Sequence, residues 1–88
     1  MNIDTEFNKA VDYVKNSEKM NIDNNTKLFF YAHYKQATIG KCNIDRPNGL
    51  FDISNKLKYD AWKQLDNMSS NEAKKKYVDK LKLILTSK

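Results

Sequence analysis

Tyr31, Tyr34 and Lys35 stand at positions i, i+3 and i+4. On a helix this spacing brings two aromatic rings and one ammonium to a single patch. Aromatic faces stack on flat heterocycles and an ammonium pairs with phosphate, so the patch suits an anionic, partly aromatic ligand. The competing reading makes both tyrosines amphipathic core-edge residues and Lys35 a solvated charge. Catalysis has few materials: one histidine, His33, one cysteine, Cys42, and neither a glycine-rich phosphate loop nor a metal-ligand cluster. His33 reads as helix decoration, Cys42 as an inert loop thiol, and the consecutive Lys74, Lys75 and Lys76 as a solvated face fanning around a helix.

The elements that must position this patch follow from periodicity. Ile3, Phe7, Ala10, Val11 and Val14 recur at helical spacing behind Asp4, an expected N-cap. The polar stretch 16–25 reads as a connector. A second helix is expected over residues 23–39, with Leu28, Tyr31, Ala32 and Lys35 along one stripe and Phe30, Tyr34 and Thr38 along its neighbour. Gly40 follows where a left-handed residue ends a helix. Residues 41–51 hold Pro47 and Gly49, lack periodicity, and form a long loop. A third helix starts near Asp52 or Ser54 and is expected to bury Leu57, Ala61, Trp62 and Leu65. Residues 66–70 break it. Ser69 and Glu72 then have capping-box spacing ahead of a stripe of Ala73, Tyr77, Leu81 and Ile84, flanked by Val78 and Leu85.

A chain of 88 residues with 40% hydrophobic and 31% charged residues, two glycines and one proline fits one all-α domain with one modest core. Periodicity leaves open whether four such helices form a simple up-and-down bundle or a skewed one. No stretch approaches the roughly 20 apolar residues of a membrane span, and a lone cysteine suits a reducing compartment, so a cytoplasmic location is expected. The net charge of +5 points to anionic partners. Arg46 is the only arginine, and arginine is the usual reader of guanine in duplex DNA, which argues against nucleic acid. Two other classes stand as alternatives: a basic domain binding nucleic acid through the helix 4 lysines, and a hydrolase or isomerase.

Residues 31–40 read YAHYKQATIG, and this segment resembles the signature of the acyl-CoA-binding protein family: Tyr, small, any, aromatic, Lys, Gln, two small, any, Gly. The resemblance extends through Phe7 and Lys9, Asn43 with Arg46-Pro47, residues 56–62, and Tyr77 with Asp79-Lys80. It implies a four-helix, skewed up-down-down-up bundle that carries and pools fatty acyl-CoA inside cells and has no catalytic residues, metal or cofactor. It also implies medium- and long-chain acyl-CoA as ligand, a monomer, and transient contact with membranes or acyl-CoA-using enzymes. By the same resemblance, Tyr31, Lys35 and Lys58 would contact the ribose 3′-phosphate, Lys15 would help hold the adenine nucleotide, and Tyr34 and Tyr77 would line the ligand. Leu28 and Leu57 are candidate acyl-groove residues. The chain departs from the family pattern at four places. Ile22 stands where a proline usually starts helix 2, which predicts a looser start. Ser54 replaces a ligand-contacting lysine, Lys27 replaces an apolar groove residue, and Asn48-Gly49 includes a one-residue insertion.

Overall fold

The computed structural model describes residues 2–16 and 22–86; residues 17–21 of the connector expected at 16–25 therefore lie outside the described residues. Four helices follow in order: α1 (Ile3–Asn16), α2 (Asn24–Thr38), α3 (Ile53–Lys63) and α4 (Ser70–Thr86). The cross-contacts fix their directions. Asp4 near the start of α1 pairs with Lys74 near the start of α4, so these two run together. Ser70 opens α4 and donates its hydroxyl to the Ala37 carbonyl at the end of α2, so α2 runs against α4. The Trp62 indole N–H, late in α3, donates to the Gly40 carbonyl just past α2, so α2 and α3 are parallel. The order is up-down-down-up.

Two parallel consecutive helices need a connection that travels back along the first. A 15-residue helix is about 22 Å long. Residues 39–52, extended at about 3.3 Å each, cover that easily. Arg46 clips this loop to α3 with two parallel bonds to Asp60, Nε to Oδ1 at 3.0 Å and Nη2 to Oδ2 at 3.1 Å.

Helix ends bear out some of the expected caps and correct others. Ser69 Oγ accepts from the Glu72 amide, as its spacing predicts. Gly40 adopts φ 104°, the left-handed conformation expected of it. Asp4 is not the N-cap of α1: Asn2 Oδ1 accepts from the Asp4 amide at 2.8 Å, and the Asp4 carboxylate is left to meet Lys74 Nζ at 2.6 Å. The start of α2 is not loosened by Ile22. Asp23 caps it through the Thr26 amide at 2.8 Å, while Ile22 packs against the core.

The core joins Phe7 and Ala10 of α1, Phe30 and Ala37 of α2, and Ala73, Tyr77, Val78 and Leu81 of α4. Phe7 meets the Tyr77 ring edge-on at 5.2 Å, and Phe30 meets it tilted at 4.8 Å. Four expectations are corrected by where the surfaces lie. Leu57 is 49% exposed instead of buried, because α3 packs mainly on α2 and Leu57 borders the open space between their first turns. Leu65 and Ala61 are half-buried, and Leu85 is exposed beyond the packed part of α4. Lys74 leaves the expected solvated face, half-buried over the Phe7 ring. The most buried positions of α2 include two polar residues, His33 and Gln36, because this helix lies between α3 and α4.

Candidate functional site

Burial of one side of α2 leaves another side free. Tyr31 and Leu28 project from it toward the first two turns of α3, and Lys35 reaches the rings of Tyr31 and of Trp62 late in α3. Tyr31 is the centre: Lys35 Nζ lies 5.8 Å from its ring centroid and Lys58 Nζ of α3 lies 5.5 Å from it. Lys35 Nζ is also 5.8 Å from the Trp62 ring. Aromatic faces are negative, so they hold ammonium groups without neutralising them. Among the described residues neither lysine has a carboxylate partner. Two cations on one phenol, without counter-ions, make a place for an anion such as a phosphate.

Two cavities meet at this ring. The first, about 310 Å³, is walled by Val11, Val14, Ile22 and Phe30, with Tyr34, Tyr77 and Lys15 completing it. The second, about 350 Å³, lies between the N-terminal halves of α2 and α3 and is lined by Leu28, Ile53, Leu57 and Lys58. Tyr31 and Lys27 border both. Among the described residues neither wall contains an Asp or a Glu. Burial raises the Tyr31 phenol above its usual range, with the nearby Cys42 adding to the shift. Burial also pushes Tyr77 up to about 12, helped by its neighbour Tyr34. Both are therefore neutral at physiological pH and able to donate O–H bonds to an anion.

Of the ligand-contact candidates, Lys35 and Lys58 converge on the Tyr31 ring, Lys15, Tyr34 and Tyr77 line the first cavity, and Leu28, Leu57 and Lys58 line the second, while Lys35 lines neither. His33 stands apart. Its Nδ1–H donates to the Phe29 carbonyl at 2.8 Å, its ring stacks on Phe29 at 3.9 Å, and burial lowers its basicity.

The sequence model of the acyl CoA binding protein family matches residues 4–81. The chain belongs to the acyl-CoA-binding protein family. It is 46% identical over 84 residues to acyl-CoA-binding domain-containing protein 5A of Danio rerio, covering 92% of this chain and 17% of that protein. It is 39% identical over 84 residues to acyl-CoA-binding protein homolog 3 of Caenorhabditis elegans, covering 92% of this chain and 72% of that one. The crystal structure of the protein from Moniliophthora perniciosa superposes with a TM-score of 0.89 at 42% identity, over 97% of this chain and 81% of that one. The solution structure of the protein from Babesia bovis gives 0.84 at 42% identity, over 99% and 97% of the two chains.

Within this acyl-CoA-binding protein fold, sequence reasoning missed what holds the site's scaffold in place. Gln36 is fully buried, and its Nε2 donates to the carbonyls of Asp66 at 2.9 Å and Met68 at 2.8 Å, fixing the α3–α4 turn on α2. Asp66 holds φ 51° in that turn. The clue was available: Phe29, His33 and Gln36 lie at i, i+4 and i+7, one helical face whose polar members disguise it as surface. The loop clip of Arg46 to Asp60 gave no local signal, because the partners are 14 residues apart.

Proposed function

We propose that this chain binds medium- and long-chain fatty acyl-CoA esters non-covalently, as an intracellular carrier and pool former of the cytoplasm, and acts as a monomer. The observation that carries the reading is the Tyr31 ring with Lys35 and Lys58 over it, lacking carboxylate partners among the described residues, beside two cavities whose walls are largely apolar. CoA presents a 3′-phosphate and a diphosphate joined to an adenine and, through the thioester, to a hydrocarbon tail. The ligand's two chemistries match the two characters of the site.

In this reading Lys35, Lys58 and the neutral Tyr31 phenol hold the 3′-phosphate by charge-assisted bonds, worth about 1.5–3 kcal/mol for each charged donor. The adenine nucleotide rests in the first cavity with Lys15, against Tyr34 and Tyr77. The tail lies between α2 and α3 along Leu28 and Leu57. Each methylene taken from water is worth about 0.8 kcal/mol, so a sixteen-carbon tail supplies roughly 10 kcal/mol before the costs of association and ordering are subtracted. Nothing in this scheme makes or breaks a covalent bond. The family membership and the likeness to the solved structures support it.

Isothermal titration calorimetry with palmitoyl-CoA, free CoA and palmitate tests it. Tight binding of the thioester with weak binding of each fragment is expected, since each fragment keeps one half of the interaction. Absence of heat with palmitoyl-CoA, in protein shown to be helical, overturns the reading.

A further inference from the structure

The cavity between the first turns of α2 and α3, the place of the hydrocarbon tail in the proposed function, is lined by more than a hydrocarbon needs. Leu28, Ile53 and Leu57 give it apolar surface, but Asn24, Lys27 and Ser54 border it as well. Asn24 and Lys27 stand three residues apart on α2 and share one helix face, and Ser54 joins them from the first turn of α3. Lys27 comes one turn before Tyr31, and Asn24 lies about 10 Å before Tyr31 along the helix axis. Polar groups therefore continue along the cavity well beyond the cluster of Tyr31 and Lys58. Lys27 has no carboxylate partner among the described residues. The acids at the two helix starts are engaged elsewhere: Asp23 Oδ1 accepts from the Thr26 amide at 2.8 Å, and Asp52 Oδ1 accepts from the Asn55 side-chain amide at 2.8 Å. Neither acid lines the cavity.

We infer that this cavity accepts acyl groups that carry a second carboxylate, the CoA thioesters of dicarboxylic acids, with Lys27 pairing that carboxylate and Asn24 and Ser54 donating hydrogen bonds to it. The assignment rests on the acyl-CoA reading proposed above. A carboxylate laid in a purely apolar groove loses its water and gains nothing in return, so such a groove rejects it. An ammonium with an amide and a hydroxyl beside it replaces that water with charge-assisted and neutral donors. The same ammonium is a poor neighbour for an unsubstituted tail, so one side chain works on both sides of the discrimination. Lys27 also borders the first cavity, which makes the CoA diphosphate the competing partner for its charge. Asn24 and Ser54 favour the tail, because they line the second cavity and not the first.

Calorimetry of the whole chain with dodecanoyl-CoA, dodecanedioyl-CoA and ω-hydroxydodecanoyl-CoA tests this, since the three share head group and chain length. The unaltered chain is expected to bind the dicarboxylic ligand within about threefold of dodecanoyl-CoA. Lys27→Leu should lower the ratio of dodecanedioyl to dodecanoyl affinity roughly tenfold, because the carboxylate then lies on apolar surface without its ammonium. Lys27 is exposed, so that drop should shrink as salt rises, and helical circular dichroism should be unchanged by the substitution. The ω-hydroxy ligand, which has no charge to pair, should respond to Lys27→Leu by less than about threefold. A ratio that the substitution leaves unchanged overturns the inference, and equal losses for both ligands would place Lys27 on the diphosphate. An equal response of the ω-hydroxy ligand overturns it too, by assigning the polar end to hydrogen bonding without charge. Normal binding of dodecanoyl-CoA beside dodecanedioyl-CoA weaker by about a hundredfold overturns this inference alone, whereas failure of dodecanoyl-CoA to bind overturns the acyl-CoA reading with it.

Discussion

Lys35→Ala tests the phosphate contact proposed for this side chain. Lys35 Nζ sits 5.8 Å from both the Tyr31 and the Trp62 ring centroids and lacks a carboxylate partner among the described residues, so in the liganded state its charge is free for the 3′-phosphate. A charge-assisted hydrogen bond is worth about 1.5–3 kcal/mol, and because this site opens to screening solvent the lower part of that range applies. A loss of about 1.5–2 kcal/mol weakens palmitoyl-CoA roughly 10- to 30-fold. The discriminating ligand is palmitoyl-dephospho-CoA, which lacks the 3′-phosphate but keeps the tail and diphosphate. Calorimetry of both proteins with both ligands forms a cycle in which the substitution should change dephospho-ligand affinity by less than about threefold. Losing the two ring contacts costs about 0.5–1 kcal/mol each at an exposed site, so the fold persists and thermal unfolding serves as the control. An equal loss for both ligands would refute the assignment of Lys35 to the 3′-phosphate. No loss for either would remove Lys35 from the site.

Gln36→Leu should destabilise the chain by about 1–3 kcal/mol in urea titrations, because the Asp66 and Met68 carbonyls lose their donor while the unpaired Gln36 Oε1 is relieved. Lys27→Leu removes an ammonium from the border of both cavities and should raise the ratio of palmitoyl-CoA to octanoyl-CoA affinity roughly 3- to 10-fold by calorimetry; an unchanged ratio would place the tail elsewhere. Burial lowers the His33 basicity from an ordinary 6.5, so the unfolded chain binds that proton more tightly than the folded one. Its contribution is therefore full above that value and declines as pH falls from there through the lower folded-state value. Urea midpoints measured across that window should show the slope, and His33→Asn should abolish it. Asp23 and Asp60, both held below 3.8 by hydrogen bonds, act in a more acidic window.

What sequence could reveal here depended on whether the physical cause was local. Helix spacing, the Ser69 cap and the left-handed Gly40 are decided within a few residues, and they match the structure. The Asp4 cap failed because Asn2, two residues earlier, accepts from the Asp4 amide, and the Asp4 carboxylate is left for Lys74, 70 positions away, a pairing that no local rule gives. Leu57 failed for a tertiary reason: an apolar residue at helical spacing reads as core, and only the packing of α3 mainly on α2 leaves it open. The convergence of Lys35 and Lys58 on Tyr31 joins two helices across a 14-residue loop, and periodicity alone does not give it. Family resemblance named Lys58 because the pattern stores the outcome of that packing.

The distribution of charge explains why the positive excess favours this site over the lysine-rich face of α4. Asp4 and Glu6 of α1 engage Lys74 and Lys82 of α4, and Glu72 engages Lys76 within α4, with Lys74 drawn in over Phe7. Asp66 and Asp60 engage Lys41 and Arg46 around the long loop. These exposed pairs add little stability individually. Their consequence is positional: acids neutralise cations on the α1–α4 side and along the loop, and among the described residues none lines either cavity, where Lys15, Lys27 and Lys58 stand on apolar walls. A nucleic acid tracking α4 would have to displace those internal partners, whereas a compact polyanion with a hydrocarbon tail meets free ammonium groups and uncovered apolar surface together. Parallel packing of α2 and α3 is what creates that combination, because it aligns the start of one helix with the start of the other and leaves the space between their first turns unfilled.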